Sequence, residues 1–150
     1  MQNACTNIYF AARRAAGYTR EKAAEMIPVS VRSLADYENG RTIPPNEVVE
    51  RMVICYGTQY LAYQHLHETN TLAARVVPSL ERRPMIQTVV RLYNDLKRFD
   101  NEHSMDALLE IAEDDRVDAG ERAEFDGIVQ DLQEILKTSL ELAMFLNEGV

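Results

Sequence analysis

Residues 20–40 read REKAAEMIPVSVRSLADYENG, and this stretch decides the fold. It predicts two short helices, over roughly 20–27 and 31–38, separated by a tight turn. Pro28 ends the helix over 20–27 because proline has no backbone N–H to continue the hydrogen-bond ladder. Ser30 then offers a side-chain oxygen to the free amides of the second helix, and an asparagine–glycine pair closes that helix.

Three further short helices are predicted around this pair, with almost no strand signal. Gly17 ends a first helix over roughly 7–16, since glycine readily adopts the left-handed conformation that terminates helices. Pro44 opens a fourth helix, which ends at Gly57. A fifth ends near His67.

The whole chain is predicted to be all-α and to have two parts. The first, residues 1–70, is the five-helix unit, and the second, residues 71–150, is an acidic helical region. Residues 68–84 contain two prolines and are predicted to be the connection. The second part is expected to hold three helices, over roughly 85–99, 105–113 and 119–147.

Apolar residues recur along two helices of the second part. One stripe on the helix at 85–99 consists of Ile86, Val89, Val90, Tyr93, Leu96 and Phe99. The last helix carries a heptad seam of Phe125, Ile128, Leu132, Ile135, Leu142 and Leu146. At 1.5 Å per residue this helix would reach about 40 Å, too long for one small domain to cover. It is therefore expected to pack on the helix at 85–99 or to pair with a second copy, and a homodimer is predicted.

The net charge of −8 is distributed unevenly. Residues 1–70 hold seven basic and seven acidic side chains, whereas residues 71–150 hold nine basic and 17 acidic ones. Only the first part is therefore expected to approach a phosphate backbone. The second part is expected to serve dimerisation or the binding of a protein partner.

Eight residues at fixed offsets resemble the helix-turn-helix of the Cro/cI-like (XRE) transcriptional regulators: Ala24, Ile27, Val29, Ser30, Leu34, Tyr37, Glu38 and Gly40. The resemblance covers roughly residues 8–67. It implies a sequence-specific regulator whose second motif helix enters the major groove of double-stranded DNA, usually as a dimer. Two departures stand out: Arg20 occupies the position of a glutamine, and Pro28 that of the turn glycine. Because proline cannot adopt the positive φ that a turn glycine often uses, a somewhat different turn backbone is expected.

By matching positions, the resemblance implies that five side chains face the major groove: Arg20, Val31, Arg32, Ser33 and Asp36. Arg32 suits the O6 and N7 atoms of guanine, and Val31 suits a thymine methyl group. Ser33 could serve a base or a phosphate. Asp36 could accept a hydrogen bond from cytosine or hold a neighbouring arginine.

Contacts to the phosphate backbone are assigned to Arg41, just past the second motif helix, and to Arg13 or Arg14 on the first helix. Such contacts position a protein on DNA without reading its sequence.

Residues 108–142 are similar to the acidic helical tail of some regulators of bacterial mobile elements. This leaves an alternative open, in which the chain is an antitoxin-like or accessory interaction module with weak or no DNA binding.

Catalytic, metal-binding and membrane roles are not expected. No pattern of catalytic residues or phosphate-binding glycines stands out, so neither an enzyme nor a cofactor is predicted. His65 and His67 are two residues apart and would point to different sides of a helix, which disfavours a zinc site with Cys55. Cys5 and Cys55 are expected to be unpaired thiols in a cytoplasmic protein, because neither a secretion signal nor a membrane span is evident.

Overall fold

Helices account for all the regular secondary structure in the computed structural model, which describes residues 7–147. The first six are α1 (Ile8–Ala15), α2 (Arg20–Met26), α3 (Val31–Glu38), α4 (Asn46–Tyr56), α5 (Gln59–Thr69) and α6 (Ala73–Val76). The others are α7 (Met85–Asn101), α8 (Ser104–Ile111) and α9 (Arg122–Ala143), with short 3-10 turns at Ala112–Asp114 and Met144–Asn147. The predicted all-α class, the five-helix N-terminal unit and the long final helix are confirmed.

Local capping explains where several helices begin. The side chains of Asn7 and Thr19 accept backbone N–H bonds at the starts of α1 and α2. Before α9, Asp118 and Glu121 exchange side-chain bonds with each other's amides, at 2.9 and 3.0 Å. This reciprocal arrangement is a capping box. Cys5 lies outside the described residues, and Cys55 is a free thiol.

The core of the first part lies among α1 to α5. Ile27 and Leu34 are fully buried, and Val29 and Tyr37 pack against them, as their motif positions predict. Ala24 is also buried where α2 packs on α3, because a small side chain allows close approach of the two backbones.

A buried histidine joins three of these helices. The Nδ1 atom of His65 on α5 bonds to the hydroxyl of Tyr9 on α1, at 2.9 Å. Its Nε2 atom bonds to Oδ1 of Asn46 at the start of α4, also at 2.9 Å. Burial lowers the pKa of His65. The neutral ring therefore donates through Nε2 and accepts the tyrosine hydroxyl at Nδ1.

The chain divides into two compact units, one containing the residues up to Pro78 and the other Ser79–Phe145. The sequence had placed the boundary at residue 70. Residues 71–78 belong with the first unit because α6 packs on α5 and the Tyr63 hydroxyl donates to the carbonyl of Pro78 at 3.0 Å.

In the second unit α9 packs on α7 within the chain, which is one of the two arrangements expected. Ile128 of the heptad seam is buried and Leu132, Ile135 and Leu142 are partly buried. The buried polar residues here are Thr88, Asp95, Ser104, Thr138 and Glu141.

The apolar stripe of α7 does not face this core. Of its six residues only Phe99 is partly buried, and the other five are exposed. Charge explains the choice of face. Arg91 and Arg98 reach Glu134 and Asp131 on the acidic helix α9, at 2.7 and 3.0 Å, and therefore turn the polar side of α7 inward.

Candidate nucleic-acid interface

The second motif helix, α3, presents its N-terminal turn to solvent. Ser30 caps it by accepting a bond from the amide of Ser33 at 2.9 Å, and the two hydroxyls lie 2.8 Å apart. Val31 and Arg32 are exposed, whereas Leu34 and Glu38 are buried. The first turn of the helix can therefore enter a groove while the rest of it is anchored in the core.

The turn between α2 and α3 keeps a left-handed residue although that residue is proline. Pro28 has φ 30°, and the amide of Val29 donates to the carbonyl of Ala24 at 3.1 Å. A positive φ at Pro28 departs from the expectation that proline would not adopt one.

Glu38 is the centre of a buried ion cluster that the sequence did not predict. Nε and Nη2 of Arg13 donate to its two carboxylate oxygens, at 2.5 and 3.0 Å, and Nη1 of Arg13 donates to the carbonyl of Tyr18 at 2.7 Å. Arg20 adds two bonds to Oε2 of Glu38, at 3.0 and 2.9 Å. One carboxylate therefore ties α1 and α2 to the C-terminal end of α3.

Two opposing effects act on the pKa of Glu38. Burial raises it, but the hydrogen bonds and charges of Arg13 and Arg20 outweigh burial and hold it below its usual value. The bond to Glu38 likewise raises the pKa of Arg13. Glu38 and Arg13 therefore remain charged at neutral pH.

This cluster changes the roles of two arginines. Arg13 is buried, so its assignment to a phosphate contact is wrong. Arg20 is a third exposed, and its Nε and Nη2 are both bonded to Glu38, so it positions α3 rather than offering a free guanidinium to the groove. The motif had indicated a glutamate at position 38 and a long donor at position 20, but sequence alone did not show that they meet.

Asp36 on α3 pairs with Arg41, which follows the C-terminal end of that helix. Nη1 of Arg41 lies 3.1 Å from Oδ1 of Asp36. Of the two roles left open for Asp36, the structure therefore shows the one in which it holds an arginine. Arg41 is 72% exposed and keeps other donors for an anion.

The remaining candidates are accessible. Arg14 is exposed on α1, and Ser33 is partly buried with its hydroxyl beside that of Ser30. The accessible residues of the candidate interface are therefore Arg14, Val31, Arg32 and Arg41. From here on they are called the reading surface.

Comparison with known proteins agrees with this geometry. A family model described as a helix-turn-helix domain matches residues 11–61, which run from α1 into α5. Searches of curated proteins and of solved structures returned no significant match. The match and the exposed motif helix support a DNA-binding regulator with DNA as its partner. In residues 7–147 no helix is both long and apolar enough to cross a membrane.

Proposed function

We propose that this protein is a sequence-specific transcriptional regulator of the Cro/cI-like class, which binds double-stranded DNA as a homodimer and inserts α3 into the major groove. The observation that carries the proposal is the exposed N-terminal turn of α3 on a helix whose other end is fixed by Glu38. A reading helix must be held rigidly, because base contacts depend on its exact position.

Within the reading surface, Arg32 is assigned to direct readout. It is exposed at the second position of α3, where its guanidinium can donate to O6 and N7 of guanine. Val31, also exposed, supplies an apolar contact for a thymine methyl group. Arg14 and Arg41 are assigned to phosphates because both are exposed and lie outside α3, on α1 and after the C-terminal end of α3.

The uneven charge supports a protein that depends on base contacts. The first half is neutral overall, so few counterions are released when it binds DNA of any sequence. A regulator of this class acts on the bacterial chromosome and therefore works in the cytoplasm. The acidic helices of the second unit are similar to those of mobile-element regulators, and we assign dimerisation to them.

The proposal is tested by selecting binding sites from random duplex DNA and titrating two variants on the selected site. Arg32→Ala should weaken binding to that site by about 1–3 kcal/mol and relax the base preference at one base pair. Arg41→Ala should weaken all duplexes similarly and reduce the salt slope by about one unit. Arg51→Ala on α4 is the control, since that exposed arginine lies outside the motif.

Uniform weakening by Arg32→Ala on every sequence would contradict its role in readout. Failure of the wild-type chain to enrich any site would overturn the regulator and favour the antitoxin-like or accessory interaction module.

A further inference from the structure

Helix α7 has an apolar face that its own unit leaves exposed. Five large side chains on it are between 42% and 69% exposed: Ile86, Val89, Val90, Tyr93 and Leu96. We call them the α7 stripe. Their spacing of three and four residues puts them on one side of the helix over about three turns.

The charged side chains of this part of α7 lie on the opposite side. Between residues 85 and 96 only Arg91 and Asp95 are charged, and both are directed at α9. Arg91 bonds to Glu134 at 2.7 Å, and Asp95 accepts the hydroxyl of Thr138 at 3.3 Å. The five side chains of the stripe are uncharged, but the Nζ atom of Lys97 lies 5.8 Å from the centre of the Tyr93 ring. A partner must therefore leave this ammonium in solvent at the edge of the contact, since burying it without a counter-charge would cost free energy.

We propose that the α7 stripe is the surface through which two copies of this chain pair, with their α7 helices antiparallel about a two-fold axis. The proposal deepens the homodimer of the proposed function and rests on it. Two-fold pairing requires a self-complementary face. If residue i of one copy contacts residue j of the other, then residue j of the first copy must also contact residue i of the second.

The order of side-chain sizes along the stripe meets this requirement. In an antiparallel pair centred between Val89 and Tyr93, the small valine of one copy lies against the large tyrosine of the other. The same register places Ile86 against Leu96 at both ends. Alternation of small and large residues across a helix pair allows close packing.

The area is sufficient for a modest dimer. Five half-exposed large side chains offer on the order of 500 Å² per copy, or about 1,000 Å² for the pair, which reaches the lower limit of specific interfaces. A dimer also fits the reading of DNA, since two linked motif helices can occupy half-sites about one helical turn apart.

The test compares glutamate substitutions on two sides of α7 in the full chain. Val89→Glu and Tyr93→Glu place a charge within the stripe, at residues that are 42% and 61% exposed. Asn94→Glu is the matched control, since it adds the same charge at an exposed position of α7 outside the stripe. Circular dichroism verifies that each variant retains its helices.

Light scattering at tens of micromolar then gives the mass. We expect twice the 17.1-kDa chain mass for the wild type and for Asn94→Glu, and the single-chain mass for both stripe variants. Burying one new charge per copy should raise the dimer Kd at least about 100-fold.

Three results would contradict pairing through the α7 stripe: a monomeric wild type, stripe variants that stay dimeric, or an Asn94→Glu control that dissociates as much as they do. Site selection with the same proteins separates the two proposals. If the stripe variants are monomeric but the wild type enriches no DNA site, the result supports pairing through the α7 stripe and contradicts the proposed transcriptional regulator. If the wild type enriches a palindromic site and the stripe variants remain dimeric, the result supports the transcriptional regulator and contradicts pairing through the α7 stripe.

Discussion

Replacement of Glu38 by alanine is expected to lower the unfolding free energy of the first unit by about 3–5 kcal/mol, the largest effect predicted for a single substitution. The Glu38 side chain is 1% exposed and that of Arg13 is 5% exposed, so water cannot replace the lost carboxylate. The substitution leaves a buried guanidinium without its counter-ion. Arg20 is less affected because a third of its side chain already meets solvent.

Urea unfolding followed by tyrosine fluorescence measures this effect selectively, because six of the seven tyrosines precede Pro78. Glu25→Ala is the control, since Glu25 pairs with Lys22 at the surface, where the two side chains are 72% and 55% exposed. It should change stability by less than about 1 kcal/mol. If Glu38→Ala were equally mild, the cluster would not be what holds α3 in place.

The second unit should show a similar contrast at two glutamates of α9. Glu141 is buried, and its carboxylate accepts the amide of Glu81 at 2.9 Å and Nη1 of Arg83 at 3.0 Å. Glu141→Ala leaves these donors without their acceptor and should cost about 2–3 kcal/mol. Glu134 is 47% exposed in its pair with Arg91, so Glu134→Ala should cost less than about 1 kcal/mol.

Far-UV circular dichroism is the appropriate signal here, because this unit holds the two longest helices, α7 and α9, but only one tyrosine. The tyrosine transition of the first unit should stay in place for both variants. Equal losses of unfolding free energy in Glu141→Ala and Glu134→Ala would contradict the burial of the Glu141 carboxylate.

Sequence predicted well what local chemistry determines. Ser30 and Gly57 lie at the predicted helix ends, because capping and left-handed termination depend on a few neighbouring residues. The motif positions Ile27 and Leu34 are buried as expected, since helical spacing places them on the inner faces.

The sequence predicted poorly which side chains distant along the chain contact each other. Arg13 was assigned to DNA because an arginine on α1 has no local signal that separates an ion pair with Glu38 from a phosphate contact. Hydrophobic spacing likewise placed Ile86 and Tyr93 on one stripe without showing whether that stripe is covered, because it considers one helix at a time. The acidic surface of α9 decided which face of α7 was covered, and only the packed structure contains that information.

The placement of Glu38 and Leu34 within α3 also affects how such a protein can acquire a new target. The residues that hold the helix occupy its middle and last turns, whereas Val31 and Arg32 at its start are exposed and lie outside the ion cluster. Substitutions at the reading end therefore leave the buried contacts intact. Under the proposed function, binding preference can change over generations while the fold is retained, since the residues assigned to base contacts are not those on which stability depends.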